Sequence, residues 1–145
     1  MRQRISRLRT AAADEDGSVL LLALGYAVLA LATVLVCVDA TSLYLEQKRL
    51  DALADAAALA GADGFVLDVV DGSPAARLSS DGVRAQAEVL LAVADADADL
   101  VRADAPDGVS ARVTVADTWH PPVFSLFVPD GVELQATATS RTALR

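Results

Sequence analysis

The sequence predicts an α+β fold in which a long N-terminal helix, first membrane-spanning and then amphipathic, packs on a small antiparallel sheet with one further helix. An uncharged apolar run of 21 residues, Ser18 to Val38, is followed by a helical pattern with no proline or glycine before Gly61. Two later stretches alternate strictly between apolar and polar residues, as half-buried strands do. At 145 residues the chain has room for one ordinary domain and one accessory segment.

Residues 1–17 form a basic N-terminus that we expect to lie in the cytoplasm. Four arginines precede the apolar run, whereas its far side first offers Lys48 and Arg49 beside acidic residues. The positive-inside rule therefore predicts a single pass through the plasma (inner) membrane, with the C-terminal part extracytoplasmic. We expect the helix to begin near an N-cap at Asp16 or Ser18. The orienting residues are Arg2, Arg4, Arg7 and Arg9.

Residues 18–38 are the predicted transmembrane helix, with membrane lipid as its surroundings. As a helix the run is about 31 Å long, which matches the hydrocarbon core of a bilayer. Its seven Leu and five Val residues contribute on the order of −5 kcal/mol to insertion. A chain this small has too little remaining sequence to bury such a helix. The residues taken to define the span are Ser18, Val19, Leu20, Leu24, Val28, Leu31, Leu35 and Val38.

Cleavage of a secretory signal peptide is the alternative interpretation of this N-terminus. The apolar part of a signal peptide runs about 7 to 15 residues, and this run is longer. Three acidic residues, Asp14 to Asp16, also separate the arginines from the run, and "CVDAT" is only a fair exit site. We therefore interpret the junction as the point of membrane entry.

Residues 39–62 are expected to continue the helix outside the membrane. Their apolar residues recur at three-, four- and seven-residue spacings, which places them on one narrow, alanine-rich stripe. Small residues let backbones approach closely, so the stripe either docks on the C-terminal domain of the same chain or packs against other helices. Tyr44 is placed like an interfacial anchor. The predicted packing residues are Leu43, Leu50, Leu53, Ala57 and Ala60.

Residues 63–145 are predicted to form a small α+β extracytoplasmic domain. Phe65 to Val70 is a strand or the end of a broken helix. A helix capped by Ser79, Ser80 or Asp81 follows. Its expected core face is Val83, Ala87, Leu90, Leu91 and Ala94.

Two alternating stretches predict an antiparallel pair of strands, whose apolar face the outer half of the long helix can cover. The stretch "HPPVFSLFV" between them is a third short strand or an apolar loop. Its Phe124 and Phe127, with Trp119, form either the centre of the core or an exposed patch. The expected inward residues are Val109, Ala111, Val113 and Val115 in the first strand and Val132, Leu134, Ala136 and Ala138 in the second.

The sequence carries no motif for catalysis, and we expect neither an enzyme nor a cofactor. His120 is the sole histidine, Cys37 the sole cysteine, and the acids Asp95, Asp97 and Asp99 are interpreted as solvated charge rather than a calcium site. The net charge of −8 argues against nucleic acid as a partner, because phosphate binding depends on Lys and Arg.

One block resembles a known family. The stretch "VDATSLYLEQKRLDALADAAALAGA", within residues 17–62, is similar to the N-terminal region of TadE/TadG-like proteins of the Tad (Flp) pilus-assembly system. Its sequence is most similar to actinobacterial TadG-related members. The residues that carry the resemblance are Asp39, Tyr44, Leu50, Ala54, Asp55, Ala56, Ala57, Ala58, Leu59, Ala60 and Gly61.

The resemblance implies a pilin-like membrane protein that assists assembly or anchoring of a surface fibre, with related helices, pilus-assembly membrane proteins or copies of itself as partners. The alternative is a membrane-tethered extracytoplasmic binding module unrelated to pili. Prepilins are cut after a Gly that lies five residues before a Glu. Here Leu22 is fifth after Gly17, and the span holds no Glu, so prepilin-type cleavage is not expected.

Overall fold

A computed structural model confirms the predicted α+β class. It describes the backbone of residues 2–70, 73–94 and 96–142, and the side chains of 18–69, 75–94 and 96–142. The chain divides into two compact units, Met1–Ala40 and Thr41–Arg145. In chain order the elements are α1 (Arg2–Asp63), β1 (Val66–Val70), β2 (Ser73–Arg77), α2 (Ser80–Val93), β3 (Asp99–Asp104), β4 (Ser110–Trp119) and β5 (Val132–Arg141).

The long helix α1 starts earlier than the sequence predicted. It begins at Arg2 rather than near an N-cap at Asp16 or Ser18. No proline interrupts the intervening residues, and Arg, Ala and Glu are good helix formers, so nothing stops the helix there. The predicted continuation past Val38 is confirmed, and the helix ends at Asp63, just before Gly64.

The outer domain is built on a three-stranded antiparallel sheet in the order β3-β4-β5. The predicted pairing of β4 with β5 is confirmed over ten residue pairs, from Ser110↔Arg141 to Trp119↔Val132. Six of the eight residues expected inward are buried: Ala111, Val113, Val115, Leu134, Ala136 and Ala138.

The other two residues expected inward, Val109 and Val132, are exposed. Val109 precedes β4, and Val132 is the first residue of β5. Both therefore lie where the sheet ends and no neighbouring element covers them.

The second helix, α2, has Ser79 as its N-cap, one of the three predicted caps. The Ser79 Oγ accepts a hydrogen bond from the backbone N–H of Gly82 at 3.1 Å. Val83, Ala87 and Leu91 are buried as predicted, and Leu90 is half-buried against the core. Ala94 was wrongly placed on that face: it is the exposed C-cap, where the helix has already ended.

Besides the predicted pair β4 and β5, the structure has three strands that the sequence did not predict or left undecided. Of the segment Phe65 to Val70, all but Phe65 forms a strand: β1 pairs antiparallel with the unpredicted β2 in a separate two-stranded sheet. The unpredicted β3 pairs with β4, with an irregularity between Leu100 and Arg102. That irregularity breaks the alternation on which a strand prediction depends.

The core of unit Thr41–Arg145 joins the outer part of α1, helix α2 and the three-stranded sheet in one hydrophobic cluster. The largest fully buried side chains in it are only Val83, Val113 and Val115. Alanine supplies most of the remainder on α1, as Ala54, Ala57, Ala58 and Ala62. The predicted cover of the sheet by the long helix is therefore confirmed.

The stretch between β4 and β5 is a loop of successive turns, not a third strand. Trp119 packs half-buried against the core, and Phe124 is half-buried, but Phe127 is 80% exposed. The prediction that these three form the centre of the core is wrong, and the exposed-patch alternative holds for Phe127. A core that valine and alanine already fill has no space for a phenylalanine ring.

Candidate functional site

The candidate site is helix α1, which presents two different surfaces along its length. In its first part every side chain from Ser18 to Val34 is exposed. Among the predicted span residues only Leu35 is half-buried, and Ser18, Val19, Leu20, Leu24, Val28, Leu31 and Val38 are exposed. In the described part of the chain, Ser18–Asp63 is the one helix long and apolar enough to cross a membrane, by length and composition.

The polar residues in the first part of α1 are few. The Thr33 hydroxyl donates to the Leu29 carbonyl at 2.9 Å, which satisfies it within the helix. Cys37 is a free, exposed thiol. Asp39, at the outer end of the predicted span, is 7% exposed and is one of two buried polar residues in the described part, with Ser110. The side chains of Arg2, Arg4, Arg7 and Arg9, which predict orientation, lie outside the described residues.

The second part of α1 packs one face on the core of its own domain. Of the predicted packing residues, Leu50 and Ala57 are buried in the core, Leu43 and Leu53 are partly buried against it, and Ala60 is half-buried. The stripe therefore docks on the same chain, as one of the two predicted alternatives stated. Packing of this stripe with other helices stays a prediction.

Gly61 shows how closely that face approaches its neighbours. A Cβ at this position would lie 2.8 Å from Cγ1 of Val83 and 3.4 Å from Cβ of Ala111. The residues of the family-like run around Gly61 fall into a buried set and an exposed set. Ala54, Ala57, Ala58 and Gly61 are buried, whereas Asp55, Ala56 and Leu59 are exposed. The resemblance therefore covers a core-facing stripe together with an open helix face.

The open face of α1 carries large apolar side chains that the described part of the chain leaves exposed. Tyr44, Leu45 and Leu59 are each more than half exposed. The Lys48 ammonium lies 6.0 Å from the centre of the Tyr44 ring. It also forms an ion pair of 2.8 Å with Asp51.

The ion pair between Lys48 and Asp51 shifts the pKa of each group so that its charged form is favoured. Its hydrogen bond raises the pKa of Lys48, and the hydrogen bonds from Lys48 and then Gln47 lower the pKa of Asp51. Both groups are solvent-exposed, so this pair contributes little to stability. Its effect is to hold charge on the open face beside Tyr44.

Two hydrogen bonds set the direction of the sheet along the outer part of α1. The Trp119 indole Nε1 donates to Ser42 Oγ at 3.1 Å, at the end of β4. Further along, the Gln47 side-chain amide donates to the Gln135 carbonyl at 3.2 Å. The loop between β4 and β5 therefore leaves the sheet near Ser42, where the outer part of α1 begins.

A shallow groove of about 180 Å³ lies between α1 and the start of β3. Three of its lining carboxylates are Glu46, Asp97 and Asp117, and Arg49 lies 3.6 Å from Glu46. Among the described residues no three His, Cys, Asp or Glu side chains are grouped as metal ligands. Asp97 and Asp99 are exposed and Asp95 lies outside the described residues, while His120 is exposed in the loop after β4.

Comparison with known proteins adds one finding. Residues 17–64, about a third of the chain, match the Tad family model, described as "Putative Flp pilus-assembly TadE/G-like". No curated protein and no solved structure matches the chain. The closer affinity to actinobacterial TadG-related members stays a prediction. The part of α1 that joins the exposed apolar run to the core-packed half is thus similar to TadE/G-like proteins, as its residues predicted.

Proposed function

We propose that this chain is a single-pass structural membrane protein that assists assembly or anchoring of a Tad (Flp) type pilus, without enzymatic activity. One observation carries the proposal: the family match over residues 17–64 coincides with a helix whose apolar first part is exposed along its length. Exposed apolar surface of that extent is stable in lipid and not in water.

The proposed topology divides the chain into four parts. Residues 1–17 are cytoplasmic, 18–38 cross the plasma (inner) membrane, 39–62 continue the helix outside, and 63–145 form the extracytoplasmic domain. The arginine-rich N-terminus supports this orientation, because Lys and Arg near a span are retained in the cytoplasm.

The proposed partners are pilus-assembly membrane proteins or further copies of this chain, which contact the open face of α1. The alanine stripe faces the core of its own domain, which leaves Leu45 and Leu59 among the large apolar side chains available to another helix. These two residues are spaced at two heptads, so they lie on the same face.

Gene deletion tests the pilus role. Cells lacking the protein are expected to lose surface fibres, as counted by electron microscopy and by pilin released on shearing, and the full chain is expected to restore them. Undiminished fibres in the deletion strain, with the protein found in the membrane of the parent strain, would contradict the pilus role and favour the binding module.

A matched pair of variants tests the helix face. Leu59→Asp places a charge on the open face, and Leu67→Asp places one on β1 at comparable exposure. We expect only Leu59→Asp to fail in restoring fibres, at an unchanged amount of membrane-bound protein. Equal restoration by both variants would show that this face has no partner in assembly.

A further inference from the structure

The loop between β4 and β5, residues 120–131, displays two large apolar side chains to its surroundings. Leu126 is 90% exposed and Phe127 is 80% exposed. The loop has defined local structure: the Phe127 N–H donates to the Phe124 carbonyl at 2.9 Å, and their rings meet edge-on with centroids 6.1 Å apart. This turn therefore presents apolar side chains outward, which is costly in water unless another surface covers them.

The position of the loop in the outer domain indicates which surface that is. The loop leaves the sheet at the Trp119↔Val132 pair, and the Trp119 indole bonds Ser42. The opposite end of β4 lies near Gly61, where a Cβ would be 3.4 Å from Ala111. The sheet thus runs along α1 with this loop at the Ser42 end.

Ser42 is only a few residues beyond the predicted membrane span. Only residues 39–41 lie between Val38 and Ser42 in the sequence. The loop therefore lies at the end of the outer domain that holds the first residues of that unit. By contrast, the exposed apolar residues of β1 follow Asp63, about 32 Å further along α1.

The composition of the loop suits the interface of a bilayer. The stretch "HPPVFSLFVPDG" has no Lys or Arg and a single acid, Asp130. Two further aromatic residues, Trp119 and Tyr44, lie near the same end of the domain, and Trp and Tyr are enriched at the level of lipid headgroups. A turn that exposes Leu and Phe and lacks basic residues is a surface whose apolar side chains can enter the headgroup region.

We propose that this loop is a second membrane contact, in which Leu126 and Phe127 enter the outer interface of the bilayer that anchors the chain. The inference rests on the proposed membrane placement of residues 18–38. It gives the outer domain two attachments to one membrane, a covalent one through α1 and an apolar one through the loop.

Fluorescence quenching by lipid tests this contact in the full chain. In a Cys37→Ala background, single cysteines are introduced as Phe127→Cys, as Leu67→Cys for a matched exposed site on β1, and as Val28→Cys in the span. Each carries a bimane label, and the protein is reconstituted in phosphatidylcholine–phosphatidylglycerol vesicles with and without brominated acyl chains. Phe127 is exposed, so its replacement is compatible with the fold.

The labels at Val28 and Phe127 are expected to lose about half or more of their emission to brominated lipid, and the label at Leu67 little. Equal quenching at Phe127 and Leu67, with strong quenching at Val28, would overturn the loop contact and leave the membrane placement intact. A blue-shifted but unquenched label at Phe127 would also overturn it, since protein would then cover the loop. An unquenched label at Val28 would overturn both proposals.

Discussion

Gly108 and Gly131 have nearly the same positive φ angle but differ in the space around them. Replacing each by alanine therefore separates the cost of the backbone conformation from the cost of steric crowding. Gly108 has φ +73° and Gly131 has φ +71°, a region that L side chains rarely adopt. A Cβ at Gly108 would meet no atom within 4 Å, whereas at Gly131 it would lie 2.7 Å from Thr118 Cγ2 and 2.8 Å from the Trp119 carbonyl.

We expect Gly108→Ala to lower the free energy of unfolding by about 1–2 kcal/mol, which is the cost of a left-handed alanine. Gly131→Ala should cost about 1–3 kcal/mol more, because crowding against backbone is added. Thermal unfolding of the outer domain, followed by circular dichroism of the full chain in detergent micelles, measures both. Equal losses would contradict the close approach at Gly131.

The turn before β4 is held by one carboxylate. Asp107 accepts hydrogen bonds from the Ser110 hydroxyl at 2.8 Å and from the backbone N–H groups of Ser110 and Val109. The Ser110 hydroxyl, then the backbone donors, lower the pKa of Asp107 below its ordinary value of 3.8. A lowered pKa means that the ionised form is favoured by folding, so this stability is present above pH 3.8 and is lost as the pH falls through the folded value.

Replacing Asp107 by Asn should therefore change how stability depends on pH. We expect Asp107→Asn to melt below the wild-type temperature at pH 7, and the difference to shrink as the pH falls below about 4. Melting curves between pH 2 and pH 7 follow this difference. Asp51→Asn is the comparison variant, because Asp51 is another carboxylate with a lowered pKa. It shows how much the melting temperature changes when such a carboxylate is lost outside the turn. A wild-type advantage that persists undiminished at pH 2 would rule out this role of Asp107.

At the scale of elements, the outer half of α1 depends on small residues along one face only. Ala57 is fully buried, while its neighbour Ala56 is exposed on the other side of the helix. We expect Ala57→Leu to lower the free energy of unfolding by about 1–3 kcal/mol through overpacking. Ala56→Leu should stay within about 0.5 kcal/mol of the wild type. Chemical unfolding of both variants provides the measurement, and a harmless Ala57→Leu would mean that α1 does not pack as closely as Gly61 indicates.

The elements that the sequence predicted are those with a sustained period. Helices α1 and α2 carry their apolar patterns over ten residues or more, and strands β4 and β5 alternate over residues 109–115 and 132–138. Strand β3 is short and irregular at Leu100 and Arg102, and β2 contains Pro74, so neither displays a period. The exposure of Phe127 was not decided by the sequence either, because the burial of a loop side chain depends on the tertiary packing around it, which no periodic pattern reports.

At the scale of the molecule, the stripe for which the sequence left two partners open, the same chain or another helix, serves the fold of one chain. Leu50 and Ala57 lie in the domain core. A stripe of this kind has the same sequence pattern whether its partner is a sheet of the same chain or another helix, so the residues alone left both open. The family match over residues 17–64 does not separate them, since it covers the buried and the open face alike.

Membrane anchoring by the proposed span depends on the balance of insertion free energy along residues 18–38. The leucines and valines supply on the order of −5 kcal/mol, and one Arg at the centre costs about 2.5–3.5 kcal/mol. A single Val28→Arg should therefore weaken insertion, and the pair Val28→Arg with Leu31→Arg should abolish it. Carbonate extraction of membranes measures the retained fraction. The control pair, Leu45→Arg with Leu59→Arg, places the same charges on exposed positions of α1 beyond the span and should leave retention unchanged. If the control pair releases the protein and the span pair does not, the membrane segment has been placed in the wrong half of the helix.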